Sequence, residues 1–130
     1  MRGHFLNNLK LNKNKQFINM PLQIILSENF KREVKILGKK YPSLNNDFLS
    51  LLGELNQNPQ LGTPIGQDCY KIRLHIKSKK TGKSGGGRVI TCVKIVDEKI
   101  YLLSVYDKAE QENIADKRLQ LILKEVGLFS

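Results

Sequence analysis

The segment from Cys69 to Lys77 alternates apolar and cationic residues. Tyr70, Ile72, Leu74 and Ile76 fall on one side of a strand, and Lys71, Arg73, His75 and Lys77 on the other. Groups able to carry positive charge therefore line one face of a sheet. The run continues into a loop: between Lys71 and Arg88 there are seven lysines and arginines and no acid, a strong local positive potential. The loop, Ser78 to Gly87, is rich in glycine, which lets backbone N–H groups approach a phosphate closely. Lys77, Lys79, Lys80 and Lys83 are candidate contacts for a nucleic-acid backbone, and Tyr106 is the clearest aromatic for base stacking. The plainer reading of the same pattern is the solvated face of an amphipathic strand followed by a hairpin tip. Gly82-Lys83-Ser84 matches the end of a Walker loop, but that motif needs a glycine where Lys77 stands and a helix after it. A strand pattern follows instead, so nucleotide hydrolysis is set aside.

Composition supports a polyanionic partner. The 130 residues carry 22 Lys and Arg against 12 Asp and Glu, a formal charge of +10, which favours RNA, DNA or anionic lipid over a neutral small molecule. No run of 18 apolar residues exists and the N-terminus lacks a secretory pattern, so no membrane partner is expected and the expected location is the cytoplasm. Cys69 and Cys92 lie in strand-like segments outside any paired metal spacing, and His4 and His75 are far apart. The cysteines read as small buried residues. Neither a metal nor a small-molecule cofactor is expected.

These residues need a scaffold, and the apolar spacing supplies one. Leu22, Ile24 and Leu26 alternate as in a short strand; Ser27 or Asn29 then caps a helix with Phe30, Val34, Leu37 and Tyr41 on one face. Pro42 stops it. A second helix starts near Ser43, shows Phe48, Leu51, Leu52 and Leu55 on one side, and ends before Asn58-Pro59. After a loop, LGTPIGQD, strands are expected over Cys69 to Lys77, Arg88 to Val96 and Lys99 to Tyr106, the last two forming a hairpin. A final helix, Asp116 to Val126, has Leu119, Ile122, Leu123 and Val126 on one side and Gly127 at its end. The order β-α-α-β-β-β-α makes an α+β domain: an antiparallel sheet with an N-terminal helical hairpin and a C-terminal helix, the helices on one face. Residues 1–19, with four basic residues, five Asn and no acid, read as a flexible extension, with Met20 an alternative start; residues 20–130 form the domain.

The stretch Asp68-Cys-Tyr-Lys-Ile-Arg-Leu, the loop KSGGGRVI (Lys83 to Ile90) and the segment IVDEKIYLLSVYDKAEQENI (Ile95 to Ile114) resemble the RelE superfamily of bacterial toxins, nearest to its HigB-like branch. The resemblance spans Leu22 to Val126. It implies a RelE-like fold and a toxin that enters the ribosomal A site and cleaves mRNA, where a ribose 2′-OH attacks the adjacent phosphate and the 5′-oxygen leaves. Such a reaction needs a base, cations for the charge building on phosphorus, and an acid for the leaving oxygen. The residues matching the family's cationic cluster are Lys71, Arg73 and Arg88. The resemblance makes Lys71 the candidate base, Arg73 and Arg88 phosphate clamps, and Lys108 a further cation. A lysine base needs cationic neighbours and partial burial to bring its pKa down from ~10.4.

Two departures stand out. Lys108 occupies a position where well-known members carry Arg, and Ile114 one where they carry Tyr, so Tyr106 or His75 is left to supply that function. Asp107-Lys-Ala-Glu110 has the spacing of a cap and reads as structural or as orienting Lys108. The partners implied are a cognate antitoxin and the ribosome with A-site mRNA. The competing readings are a ParE-like inhibitor of DNA gyrase and a non-catalytic RNA-binding module.

Overall fold

The computed structural model describes residues 7–11, 17–21, 23–80 and 85–128. In chain order the elements described are β1 (Asn7–Leu11), β2 (Phe17–Pro21), β3 (Gln23–Leu26), α1 (Glu28–Lys40), α2 (Leu44–Gln57), β4 (Thr63–Gly66), β5 (Cys69–Leu74), β6 (Gly87–Lys94), β7 (Lys99–Asp107) and α3 (Asp116–Glu125), with a 3₁₀ turn at Lys77–Lys79. Strands β1 and β2 pair antiparallel as a two-stranded sheet within the segment read as an N-terminal extension and its junction with the domain. The other five strands form one sheet in the order β3-β7-β6-β5-β4.

The expected order of helices and strands is present, with three strands added, β1, β2 and β4. The sheet is antiparallel through β4, β5, β6 and β7, but β3 joins β7 in parallel, because the chain returns to that edge only after crossing both helices and the meander. Strand β4 lies inside LGTPIGQD, read from sequence as a loop. Its proline and glycines hide a strand that is tolerable because it is an edge, where one row of backbone groups needs no partner. It turns into β5 through Gln67 and Asp68, both with positive φ (55° and 62°), as a tight hairpin requires.

Helix α1 begins where Ser27 accepts the Phe30 N–H at 2.9 Å and donates to the Leu103 carbonyl at 3.0 Å. Asn29 Nδ2 donates to the same carbonyl at 3.0 Å. The cap thus also stitches the helix to β7. Phe30, Leu37, Leu44, Leu51, Leu52 and Leu55 of the helical hairpin pack on one sheet face against Ile72, Leu74, Val89, Ile100, Leu102 and Val105.

Helix α3 lies on the opposite face: Leu119, Ile122 and Leu123 cover Cys69, Ile90, Cys92, Tyr101, Leu103 and Tyr106. This corrects the expectation that all helices share a face. The cause is visible in β6 and β7, GRVITCVK and KIYLLSVYD, whose apolar residues are near-continuous and which are buried along almost their whole length. The β6–β7 register slips between Ile90, opposite Ser104, and Thr91, opposite Leu102, leaving Leu103 as an extra residue in β7.

Ser27→Ala removes a helix cap and a tie to β7 together. We expect a loss of about 1–2 kcal/mol in stability by urea unfolding, with the slope of the transition unchanged.

Candidate nucleic-acid interface

Strand register decides which side chains share a face, since directly paired residues project to the same side. Arg73 pairs with Arg88, and Arg88 pairs with Tyr106. A row of two guanidiniums and a phenol therefore runs across β5, β6 and β7, on the face that carries α3. Lys71 lies on this face two residues before Arg73, opposite Ile90. His75 continues the alternation one residue beyond the end of β5 and is exposed. Thus Lys71, Arg73, Arg88 and Tyr106 come together, and His75 sits at their rim.

Their surroundings differ. Arg73 is exposed, whereas Arg88 is 6% exposed and its Nη1 donates to the Gly87 carbonyl at 2.9 Å. Lys71 Nζ reaches Asn113 Oδ1 at 2.6 Å, so the loop after β7 contributes a neutral acceptor to the cluster. Asn113 was not singled out from sequence; its only signal was its place in the YDKAEQENI segment. Lys108 follows β7 directly, and its backbone N–H donates to the Gly86 carbonyl at 3.0 Å, which holds it at the same end of the sheet as Arg88.

Two neighbouring clefts flank β5. One, about 330 Å³, is lined by Glu54, Leu61, Gly62, Thr63, Lys71, Ile72 and Arg73. The other, about 170 Å³, includes Asp47, Glu54, Arg73, His75 and Lys77. Arg73 and Glu54 border both. The wall of the first depends on Gly62, whose φ is +104° and where a Cβ would sit 2.5 Å from the Lys71 carbonyl oxygen. Only glycine permits that approach.

The loop cations divide. Lys77 donates its backbone N–H to Asp47 Oδ2 at 3.1 Å and leaves its side chain exposed. Lys80 is exposed as well, and Lys83 lies outside the described residues. Lys79 turns inward, to Asp107 Oδ1 at 2.5 Å and to the carbonyls of Gly85 at 2.7 Å and Gly86 at 3.3 Å. Its ammonium is engaged in holding the loop and not offered to a ligand.

Asp107 is the centre of that tie. Its carboxylate also accepts the Tyr41 hydroxyl at 2.7 Å and the Ala109 N–H at 2.9 Å. Burial pushes this carboxyl up, but the hydrogen bonds from Lys79, Tyr41 and Ala109 and the Lys79 charge outweigh it and hold the group at about 2. The Tyr41 phenol is pushed up, first by its bond to Asp107. No helix starts here; Asp107 anchors a turn, with its carbonyl accepting from Glu110 and Gln111.

On the same face as the cationic row, Cys69 and Cys92 are paired directly, buried and unbridged. The hydrogen bond to Cys92 and then burial push the Cys69 thiol up. Among the described residues no group of three or more His, Cys, Asp or Glu is placed to hold a metal ion, and no helix is long and apolar enough to cross a membrane.

No protein-family model matches the chain. Its fold is similar to that of a double mutant of the E. coli toxin RelE in the free state, at 20% identity over 82% of this chain and 94% of that one, with a TM-score of 0.52. It is also similar to the isolated E. coli RelE toxin, at 18% identity over 79% and 97% of the two chains and a TM-score of 0.51.

Asp107 supplies a test of the anchor. Its folded pKa lies below the ordinary 3.8, so its contribution to stability is complete above that value and is lost as pH falls towards about 2. We expect wild-type stability to drop by about 2 kcal/mol over this window from this group. Asp107→Asn should be less stable at pH 7 and show a flatter profile between pH 5 and 2 in urea titrations.

Proposed function

We propose that this chain, which has the RelE-like α+β fold, is a toxin that cleaves messenger RNA in the ribosomal A site and is silenced by a cognate antitoxin. The observation that carries this reading is the cationic row: Arg73 opposite Arg88, with Lys71 on the same face. Two planar guanidiniums at adjacent strand positions suit the paired non-bridging oxygens of a phosphate, each able to donate two parallel N–H bonds.

In this reading Arg73 and Arg88 grip the scissile phosphate and stabilise the extra charge of the phosphorane. Lys71, oriented by the neutral Asn113 acceptor, takes the proton of the 2′-OH. The oxygen forms a bond to phosphorus, the bond to the 5′-oxygen breaks, and the products are a cyclic phosphate and a 5′-OH end. Lys108, at the same end of the sheet, or His75, at the rim, protonates the departing oxygen. Lys77, Lys80 and Lys83 extend the positive field along the flanking RNA. An antitoxin that ends this activity needs only to cover the same face, and acidic groups complement it. Such a protein works in the cytoplasm, where translated messages are.

This assignment makes Arg88 a poor first mutation, since removing a buried guanidinium threatens the fold. Arg73 is exposed and Lys71 half-buried, so Arg73→Ala and Lys71→Ala should change stability by only about 0.5 kcal/mol. Induced expression in bacteria with mapping of message 5′ ends should show growth arrest and new cuts in translated regions for wild type, falling at least about 10²-fold in both variants. Arrest with intact messages would direct the search to gyrase or another target. RNA binding without cuts would make the chain a binding module.

A further inference from the structure

Folded proteins pair nearly all their buried polar atoms, and an exception is a cost the fold carries for a reason. Among the described residues the Tyr106 hydroxyl is such an exception: the residue is 5% exposed and its oxygen has no hydrogen-bond partner. Tyr41, by contrast, donates its hydroxyl to Asp107 at 2.7 Å. What distinguishes Tyr106 is its position, directly opposite Arg88 and third in the row that starts at Arg73. Neighbouring residues in such a row stand about 5 Å apart at the backbone, within reach of one phosphate group held by long side chains.

We propose that Tyr106 contacts the substrate, its hydroxyl donating a hydrogen bond to a non-bridging oxygen of the RNA phosphate held by Arg73 and Arg88. The proposal rests on the RNA-cleaving reading and adds to it a neutral donor that the cationic cluster lacks. Burial raises the phenol's pKa, opposed by the charge of Arg88, so the proton to be donated stays in place at neutral pH. The hydroxyl is covered in the free protein, and contact requires a local side-chain shift of the kind common when partners bind. The unpaired state would then belong to the free protein and end when RNA arrives.

Tyr106→Phe removes only the oxygen, which separates a ligand-directed hydroxyl from a structural one. The expected result has three parts. The thermal midpoint is equal to or above that of wild type, because no bond is lost in the free protein. Affinity for a short 2′-O-methyl RNA, which cannot be cut, falls about tenfold or more. Cutting of a defined message in a translating extract falls about 10²-fold. Tyr41→Phe is the contrast, with a lower midpoint and unchanged RNA affinity. A lowered midpoint in Tyr106→Phe, or RNA affinity and cutting like those of wild type, would overturn the proposal. If wild type binds the RNA analogue but cuts nothing, the cleavage reading fails and the hydroxyl is judged on the affinity ratio alone. If wild type cuts the message without binding the free analogue, the hydroxyl is judged on the cutting ratio alone; if it does neither, both readings fall.

Discussion

Strands β6 and β7 are buried on both faces, and most of the architecture follows from that constraint. Two-sided burial requires two layers of cover. The helical hairpin supplies one, α3 the other. The covers are unequal. At ten residues, α3 is only about 15 Å long, whereas the nine residues of β7 extend about 30 Å. Part of the second face therefore stays open, and β5, towards the outside of the sheet, places the exposed Arg73 and half-buried Lys71 there. A basic face on a protein of this size is a region that the smaller cover does not reach.

The same end of the sheet is held from the other side by a buried charge. Asp107 draws together the end of α1 through Tyr41, the basic loop through Lys79, and the turn after β7 through Ala109. A buried carboxylate is tolerable because its oxygens are well supplied with donors. Holding Gly85 and Gly86 through Lys79 fixes the point where the loop re-enters β6, and that point is one residue or two from Arg88. One lysine of the loop is used as a fastener, while Lys77 and Lys80 stay exposed.

Much of this was legible in the sequence, and the exceptions have physical causes. Period-two alternation gave the cationic face of β5 because that strand is apolar on only one side. The helical hairpin was legible because Phe30, Leu37, Leu51 and Leu55 repeat at helical spacing and Ser27 and Pro42 mark boundaries. The position of α3 was missed because a helix's apolar stripe says that it packs, not on which face; the continuous apolar runs of β6 and β7 held that information. Strand β4 was hidden by Pro64, Gly66 and the preceding Gly62, residues that edge strands and their ends accept. The inward turn of Lys79 was beyond pattern reading, since a lysine looks the same in sequence whether it faces solvent or an aspartate 28 positions away. Asn113 likewise acquires meaning only when the chain brings it back over Lys71.

The extra residue in β7 has a further consequence. Along a regular strand starting from Tyr101, which faces α3, alternation would turn residue 106 towards the helical hairpin and residue 107 towards α3. The slip at Leu103 inverts the parity of everything after it. Tyr106 thereby joins the arginines, and Asp107 faces Tyr41 and Lys79. One inserted residue acts as a switch of phase, and the composition of both faces at this end of the sheet depends on whether the number of residues before it is odd or even. Insertions or deletions of a single residue in the second half of β7 are therefore not small length changes: each would exchange the roles of two adjacent side chains, whereas paired changes would preserve them.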